Sequence, residues 1–273
     1  MIAEIKPGKG KGKMVAPPSK SMAHRLLIGA GLANGKSIIE GISSSEDMKA
    51  TLDCLSAIGA KYEIEGEKVT ITGADIRNIP EGAVFRCRES GSTLRFFIPI
   101  CLLDGKTFTL TGSEKLLSRP LSVYEDIFKK QGITFEASPD KIKVGGKLQS
   151  GTYKIKGNIS SQFITGLLFV LPLMEEDSMI QLIPPVESLS YINLTIEALA
   201  TFGIEIKWQD EKTLFVKGKQ SYKAVETSVE GDYSNAAFFA ALNELGSEIE
   251  MTGLNPKSLQ GDKVYEKNFS TYG

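Results

Sequence analysis

Three short stretches gather cations and hydroxyls just ahead of apolar runs. PPSKSMAHR carries Lys20, Ser21 and Arg25; RESGSTLR carries Gly91, Ser92 and Arg95; GNISSQF carries Ser160, Ser161 and Gln162. The apolar runs that follow predict helices, so these residues fall at helix N-termini. There the unpaired backbone N–H groups and roughly half a unit of positive charge favour anions. Lys20 and Arg25 oppose that dipole, and a cation so placed calls for an anionic partner. If several such N-termini converge on one face, the cations, hydroxyls and amide suit a phosphorylated, polyhydroxylated ligand. Simpler readings stand beside this one. Ser161, Ser234 and Asp232 are more simply explained as helix caps. Gly91 suits either close backbone approach to a ligand or a turn. Arg119, just ahead of Pro120 in LLSRPL, reads as a phosphate contact or as a surface arginine.

Composition bounds what else the chain could do. Its 273 residues are 41% hydrophobic and 24% charged, an ordinary globular mixture long enough for one large domain or two smaller ones. A formal charge of -1 provides no global field for nucleic acid or an anionic membrane, so any anion site is local. Cys54, Cys87 and Cys101 form no CxxC pair and fit reduced thiols in a cytoplasmic protein. With one histidine, His24, a zinc centre is not expected, and His24 reads as a packing or hydrogen-bonding residue. FITGLLFVLPLM is too short to span a membrane, and MIAEIKPGKGKGK lacks a signal-peptide core. GAGLANGKS misses the phosphate-loop spacing because Ala30 stands where glycine is required. Neither a dinucleotide fingerprint nor a nucleophile elbow occurs.

The elements that must carry the candidate residues recur along the chain. TLDCLSAIGAKYEIEGEKVTITG, YEDIFKKQGITFEASPDKIKVGG and IEALATFGIEIKWQDEKTLFVKG each read as an amphipathic helix, a terminating glycine and a strand pair. Their glycines, Gly59, Gly132 and Gly203, continue to Gly273 at spacings of 73, 71 and 70 residues. Ser21, Ser92, Ser161 and Ser234 lead a second set of helices at spacings of 71, 69 and 73. Two markers in phase imply an α/β (α+β) fold of repeated units of about 70 residues, larger than a solenoid repeat. Three units are expected complete and the fourth partial.

PPSKSMAHR, RESGSTLRF, LLSRPL, ISSQFITGLL and VEGDYSNAAFF, in this order, resemble the 5-enolpyruvylshikimate-3-phosphate synthase family of enolpyruvyl transferases. The resemblance runs the whole length of the chain. The related enzymes that act on a UDP-amino sugar carry a cysteine where Glu114 stands, and the SKS signature also separates this chain from them. The resemblance implies a two-lobed fold with three units in each lobe. Residues 19–229 would form one complete lobe, and 1–18 with 230–273 part of a second whose remainder would lie beyond Gly273. It also implies transfer of the enolpyruvyl group of phosphoenolpyruvate to the 5-hydroxyl of shikimate 3-phosphate, without a cofactor or metal, in the cytoplasm. Glyphosate would be an inhibitor.

By the same resemblance, Lys20, Gly91, Arg119 and Gln162 would meet phosphoenolpyruvate. Ser21, Arg25, Ser160, Ser161, Gln162, Ser188 and Tyr191 would meet shikimate 3-phosphate, with Arg95 in support. Lys20 would be the catalytic contribution of this chain, an electrostatic one, because the family's acid/base Asp and Lys and two further arginines find no match here. The chain alone is therefore expected to be inactive; the alternative is a non-catalytic fragment that at most binds shikimate 3-phosphate, and a complementary C-terminal fragment would be its partner. Two departures bear on the site: Glu89-Ser90-Gly91-Ser92 stands where the family often has Asn-Ala-Gly-Thr, and Phe96 stands where it has proline.

Overall fold

In the computed structural model, which describes residues 8–272, a strand β1 (Lys11–Val15) precedes the first helix, α1 (Lys20–Leu32). Then follow β2 (Lys36–Glu40), α2 (Glu46–Ala57), the hairpin β3 (Lys61–Glu65) and β4 (Lys68–Thr72), and β5 (Val84–Arg86). The order returns as α3 (Gly91–Ile100), β6 (Thr107–Thr111), a short α4 (Glu114–Leu117), α5 (Ser122–Gln131), β7 (Thr134–Ala137), β8 (Lys141–Gly145) and β9 (Thr152–Lys156). It returns again as α6 (Gln162–Val170), β10 (Ser178–Ile183), α7 (Leu189–Thr201), β11 (Ile206–Trp208), β12 (Thr213–Val216) and β13 (Glu226–Ser228). The elements α8 (Tyr233–Glu244), β14 (Glu248–Thr252) and α9 (Tyr265–Tyr272) follow. Residues 1–7, at the start of the expected 1–18 segment of the second lobe, and the landmark Gly273 lie outside the described residues.

The chain divides into two compact units, Ser21–Val229 on the one hand and Met1–Lys20 with Glu230–Gly273 on the other. Within Ser21–Val229, the described residues form three four-stranded sheets of one connectivity: β13-β2-β4-β3, β5-β6-β8-β7 and β9-β10-β12-β11. In each, the strand after an apolar helix pairs in parallel with the last strand of a different repeat and antiparallel with the second strand of its own hairpin. The pairings close in a ring, because β13 of the third repeat returns to β2 of the first.

The glycines that end α2, α5 and α7 do so for a conformational reason. Gly132 sits at φ 68° and caps α5 with its N–H donated to the Phe128 carbonyl, while Gly59 and Gly203 lie at φ 100° and 78°. A side chain is strained in that left-handed region, so glycine lets the chain turn into the next strand.

The core of this unit is one contiguous cluster running from Met22 to Tyr222. α1 is buried all round from Met22 to Leu32, and α3 and α6 are nearly so. Phe97, Phe169 and Phe202 are fully enclosed, each contributing about 1.5–3 kcal/mol of burial. Close approach to α1 is met by small residues: a Cβ at Gly29 would overlap the Phe202 ring, and one at Gly31 the Leu55 side chain.

The other unit is built differently. β1 and β14 pair in parallel, with Lys11 to Glu248 at 2.5 Å and Lys13 to Glu250 at 2.7 Å across the ladder, all in solvent. Asp232 caps α8 by accepting from the Asn235 N–H at 2.8 Å. Only Tyr233 and Ala236 of α8 are buried, and Phe238 and Leu245 stand 73% and 77% exposed. Few buried apolar contacts mean a low opening free energy. Hydrogen exchange followed by mass spectrometry should therefore show α8 exchanging much faster than α1; protection of α8 equal to that of α1 would contradict this account. No helix among the described residues is long and apolar enough to cross a membrane.

Candidate anion-binding site

The first turn of α3 is set by its cap. Ser90 Oγ accepts from the Thr93 N–H at 3.3 Å and from Thr93 Oγ1 at 2.8 Å. The cap is thus Ser90, two residues earlier than the leading Ser92 suggested. The N–H groups of Gly91 and Ser92 have no intrahelical acceptor, as at any helix start. Over Gly91 lie two guanidinium groups: a Cβ there would come within 2.5 Å of Arg119 Nη1 and 3.4 Å of Arg95 Nη1. Arg119 is held by the turn between α4 and α5, where its N–H donates to the Leu116 carbonyl at 3.2 Å.

Arg95 reaches from α3 to α6. Its Nη1 donates to Gln162 Oε1 at 2.6 Å, and Gln162 Nε2 donates to Ser92 Oγ at 2.8 Å, so one amide links both helix starts. The Arg95 guanidinium lies 5.1 Å from the Phe163 ring centre, and its Nε is buried without a hydrogen-bond partner among the described residues. Burial, with the Arg119 charge beside it, pushes the Arg95 pKa down. Two like charges are therefore held close with no carboxylate between them. α3 and α6 approach closely because position 166 is glycine; a Cβ there would overlap Tyr124 Oη and lie 2.6 Å from the Arg95 carbonyl oxygen. Tyr124 Oη donates to the carbonyls of Arg95 at 2.7 Å and Phe163 at 3.2 Å, and burial raises its phenol well above the usual range.

A second group forms around Arg25, which is 3% exposed. Its Nε donates to Thr195 Oγ1 at 2.9 Å, Nη1 to the Ser21 carbonyl at 2.6 Å, and Nη2 to the Tyr191 carbonyl at 3.2 Å and Thr165 Oγ1 at 3.4 Å. The Phe96 ring lies 5.7 Å from its Cζ. Every partner is neutral, and burial pushes the Arg25 pKa down to about 10, still charged at neutral pH. Beside it, His24 Nδ1 is 2.8 Å from Thr51 Oγ1, which is 2.9 Å from Thr93 Oγ1, a buried polar chain ending at the α3 cap.

The geometry thus brings Gly91, Ser92, Arg95, Arg119 and Gln162 together, and Ser21, Arg25 and Tyr191 together. Ser160 is exposed and Ser161 buried at the start of α6; Ser161 makes no side-chain capping bond, so the capping explanation holds for Asp232 and not for Ser161. Ser188 precedes α7 in the left-handed region at φ 57°, exposed, with its carbonyl accepting from the Tyr191 N–H at 3.1 Å. Lys20 opens α1 with an exposed side chain, and its N–H donates to Asp232 Oδ2 at 3.4 Å. Among the described residues, no ion pair involves Arg25, Arg95 or Arg119, and no group of three His, Cys, Asp or Glu side chains could hold a metal ion. Thr165, Thr195, Thr93 and Tyr124 went unremarked in the sequence; a hydroxyl four residues along an apolar helix from Ser161 or Tyr191 was the available signal.

Helix starts, unneutralised arginines and neutral donors make a candidate anion site on an α/β chain built on a repeated sheet plan. Comparison with known proteins gives it a family. The family described as EPSP synthase (3-phosphoshikimate 1-carboxyvinyltransferase) matches residues 5–270, and the chain belongs to it. It is 44% identical over 261 residues to a 3-phosphoshikimate 1-carboxyvinyltransferase of Clostridium perfringens, covering 95% of this chain and 62% of that protein. A protein of the same name from Clostridium kluyveri is 42% identical over 262 residues, with 61% of it covered. The chain thus spans a little over three fifths of the length of these relatives. In fold it is similar to an EPSP synthase structure from Acinetobacter baumannii, with a TM-score of 0.78 at 22% identity over 92% of this chain and 58% of the other.

Proposed function

We propose that this chain provides the shikimate 3-phosphate-binding part of an enolpyruvyl transferase, the enzyme that moves the enolpyruvyl group of phosphoenolpyruvate to the 5-hydroxyl of shikimate 3-phosphate. The observation that carries the reading is that Arg25, in the first turns of α1, and Arg95 and Arg119, over the start of α3, have no carboxylate partner among the described residues. A buried cation among neutral groups is costly, and a bound dianion offsets that cost. Ser21, Arg25, Ser160, Ser161, Gln162, Ser188 and Tyr191 are proposed for shikimate 3-phosphate. Lys20, Gly91, Arg119 and Gln162 are proposed for phosphoenolpyruvate, with Arg95 behind them and Lys20 acting electrostatically. Glyphosate is proposed to compete beside Gly91, where a side chain would meet Arg119.

Chemically, such a site contributes charge stabilisation and orientation: preset donors hold the phosphate of one substrate while fixed cations meet the other. The acid/base pair that the resemblance requires has no match in this sequence, so what is proposed here is the binding share of the reaction. Titration calorimetry of the 273-residue chain tests it. Saturable binding of shikimate 3-phosphate that weakens with added salt is expected. Absence of heat at millimolar shikimate 3-phosphate, or a response indistinguishable from that to inorganic phosphate, would overturn the reading.

A further inference from the structure

Arg25 can serve a ligand only if its guanidinium is held still, and the residues that hold it form a directed chain of hydroxyls. Thr195 Oγ1 donates its single proton to the Tyr191 carbonyl at 2.8 Å, one helical turn back on α7. Its 2.8 Å bond to Thr165 Oγ1 must then take the Thr165 proton. Both hydroxyl protons are thereby committed away from Arg25, and the lone pairs that remain accept its Nε at 2.9 Å and Nη2 at 3.4 Å. Both threonines are fully buried, so water does not compete. Arg25 carries five N–H donors. The Nε, Nη1 and Nη2 bonds to Thr195, Ser21, Thr165 and Tyr191 leave one N–H of Nη1 without a partner among the described residues.

We propose that Thr165 and Thr195 are positioning residues that lock the Arg25 guanidinium, by its Nε and Nη2 edge, so that Nη1 is presented to the bound anion. The proposal rests on the reading of Arg25 as a ligand contact, but its geometric half stands by itself. An arginine side chain has many rotamers to lose, and fixing it before the ligand arrives removes that entropic cost from binding. Packing alone does not require these hydroxyls. Valine has nearly the same shape and would fill either position, and threonine is no better a helix former than valine.

The test uses Thr195→Val, which removes the hydroxyl at constant shape, and Thr195→Ser, which keeps it. Two readouts are taken: affinity for shikimate 3-phosphate, and solvent exchange of the Arg25 Nε–H by nitrogen-15 NMR, identified by its loss in Arg25→Lys. Thr195→Val is expected to bind about tenfold more weakly, with the Nε–H exchanging faster and the melting temperature within a few degrees of the parent chain. Thr195→Ser is expected to restore both affinity and slow exchange. Unchanged Nε–H exchange in Thr195→Val overturns the proposal, whatever the affinity does. If the parent chain binds no shikimate 3-phosphate, the functional reading fails while the exchange data still decide whether Thr195 holds Arg25.

Discussion

Arg25→Met should weaken shikimate 3-phosphate binding by about 10- to 150-fold and leave the melting temperature of the unliganded chain nearly unchanged. The two effects separate because Arg25 is a charge held at a cost. Its pKa, lowered by burial to about 10, means that the protonated form is disfavoured in the folded chain relative to a free arginine. At 1.36 kcal/mol per pKa unit this is roughly 3 kcal/mol, present at every pH below about 10 and relieved only as pH rises from there towards the usual arginine range. Methionine removes that cost and fills similar space, at the expense of hydrogen bonds to Ser21, Thr165, Tyr191 and Thr195. Gains and losses of similar size are then expected to cancel in stability, as when other buried charges are replaced by apolar groups. Binding has no such compensation, because the phosphate loses its cation. Equal affinity in Arg25→Met and the parent chain would make Arg25 a structural residue only. Calorimetry and thermal melts on the same two samples distinguish the cases.

The second large effect is expected at Gly166. Alanine there drives a Cβ into Tyr124 Oη and to 2.6 Å from the Arg95 carbonyl oxygen. A phenol tip can swing aside, but the carbonyl belongs to the backbone of α3, so α3 and α6 must separate. Overpacking of this kind costs about 1–3 kcal/mol, a fall of roughly 3–10 °C in melting temperature for a unit of this size. Separating these helices also stretches the Arg95–Gln162–Ser92 link across their starts. Gly166→Ala is therefore expected to lose ligand affinity along with stability, unlike Arg25→Met. A melting temperature within one degree of the parent would mean that the helices have more room than the Gly166 contact implies.

How much of this was legible in the sequence depended on what each residue encodes locally. Gly59, Gly132 and Gly203 announced helix ends because the left-handed backbone is a property of the residue itself. The helix starts bearing Ser21, Ser92 and Ser161 were legible to within a residue or two, since an apolar run must begin somewhere near a polar one. Which serine caps was not legible: Ser90 rather than Ser92 bonds the α3 backbone, and Ser161 bonds none. Partnerships were hidden for a different reason. Gln162 meets Ser92 and Arg95 from 70 and 67 residues away. Arg25 meets Thr195 from 170. Hydrophobic periodicity identifies a buried face only when there is an exposed one, and α1 has almost none. Arg25 therefore looked like a residue at a polar helix start, when it is inside the core; His24, read as a packing or hydrogen-bonding residue, is buried beside Thr51.

The closed pairing of the three sheets makes the starting point of the chain within Ser21–Val229 a matter of convention. Around the ring, each repeat lends its last strand to the next, and β13 lends to β2 just as β5 lends to β6 and β9 to β10. The flanking segments also run side by side, the Ser19 N–H donating to the Glu230 carbonyl at 2.8 Å and Pro18 bridging Gly231. A cut at the exposed turn around Gly66, between β3 and β4, together with a short splice from Val229 to Ser21, would give a circularly permuted polypeptide with every strand pairing of this unit intact. Order along the backbone and order in space are separable here, and the candidate anion site depends on the second.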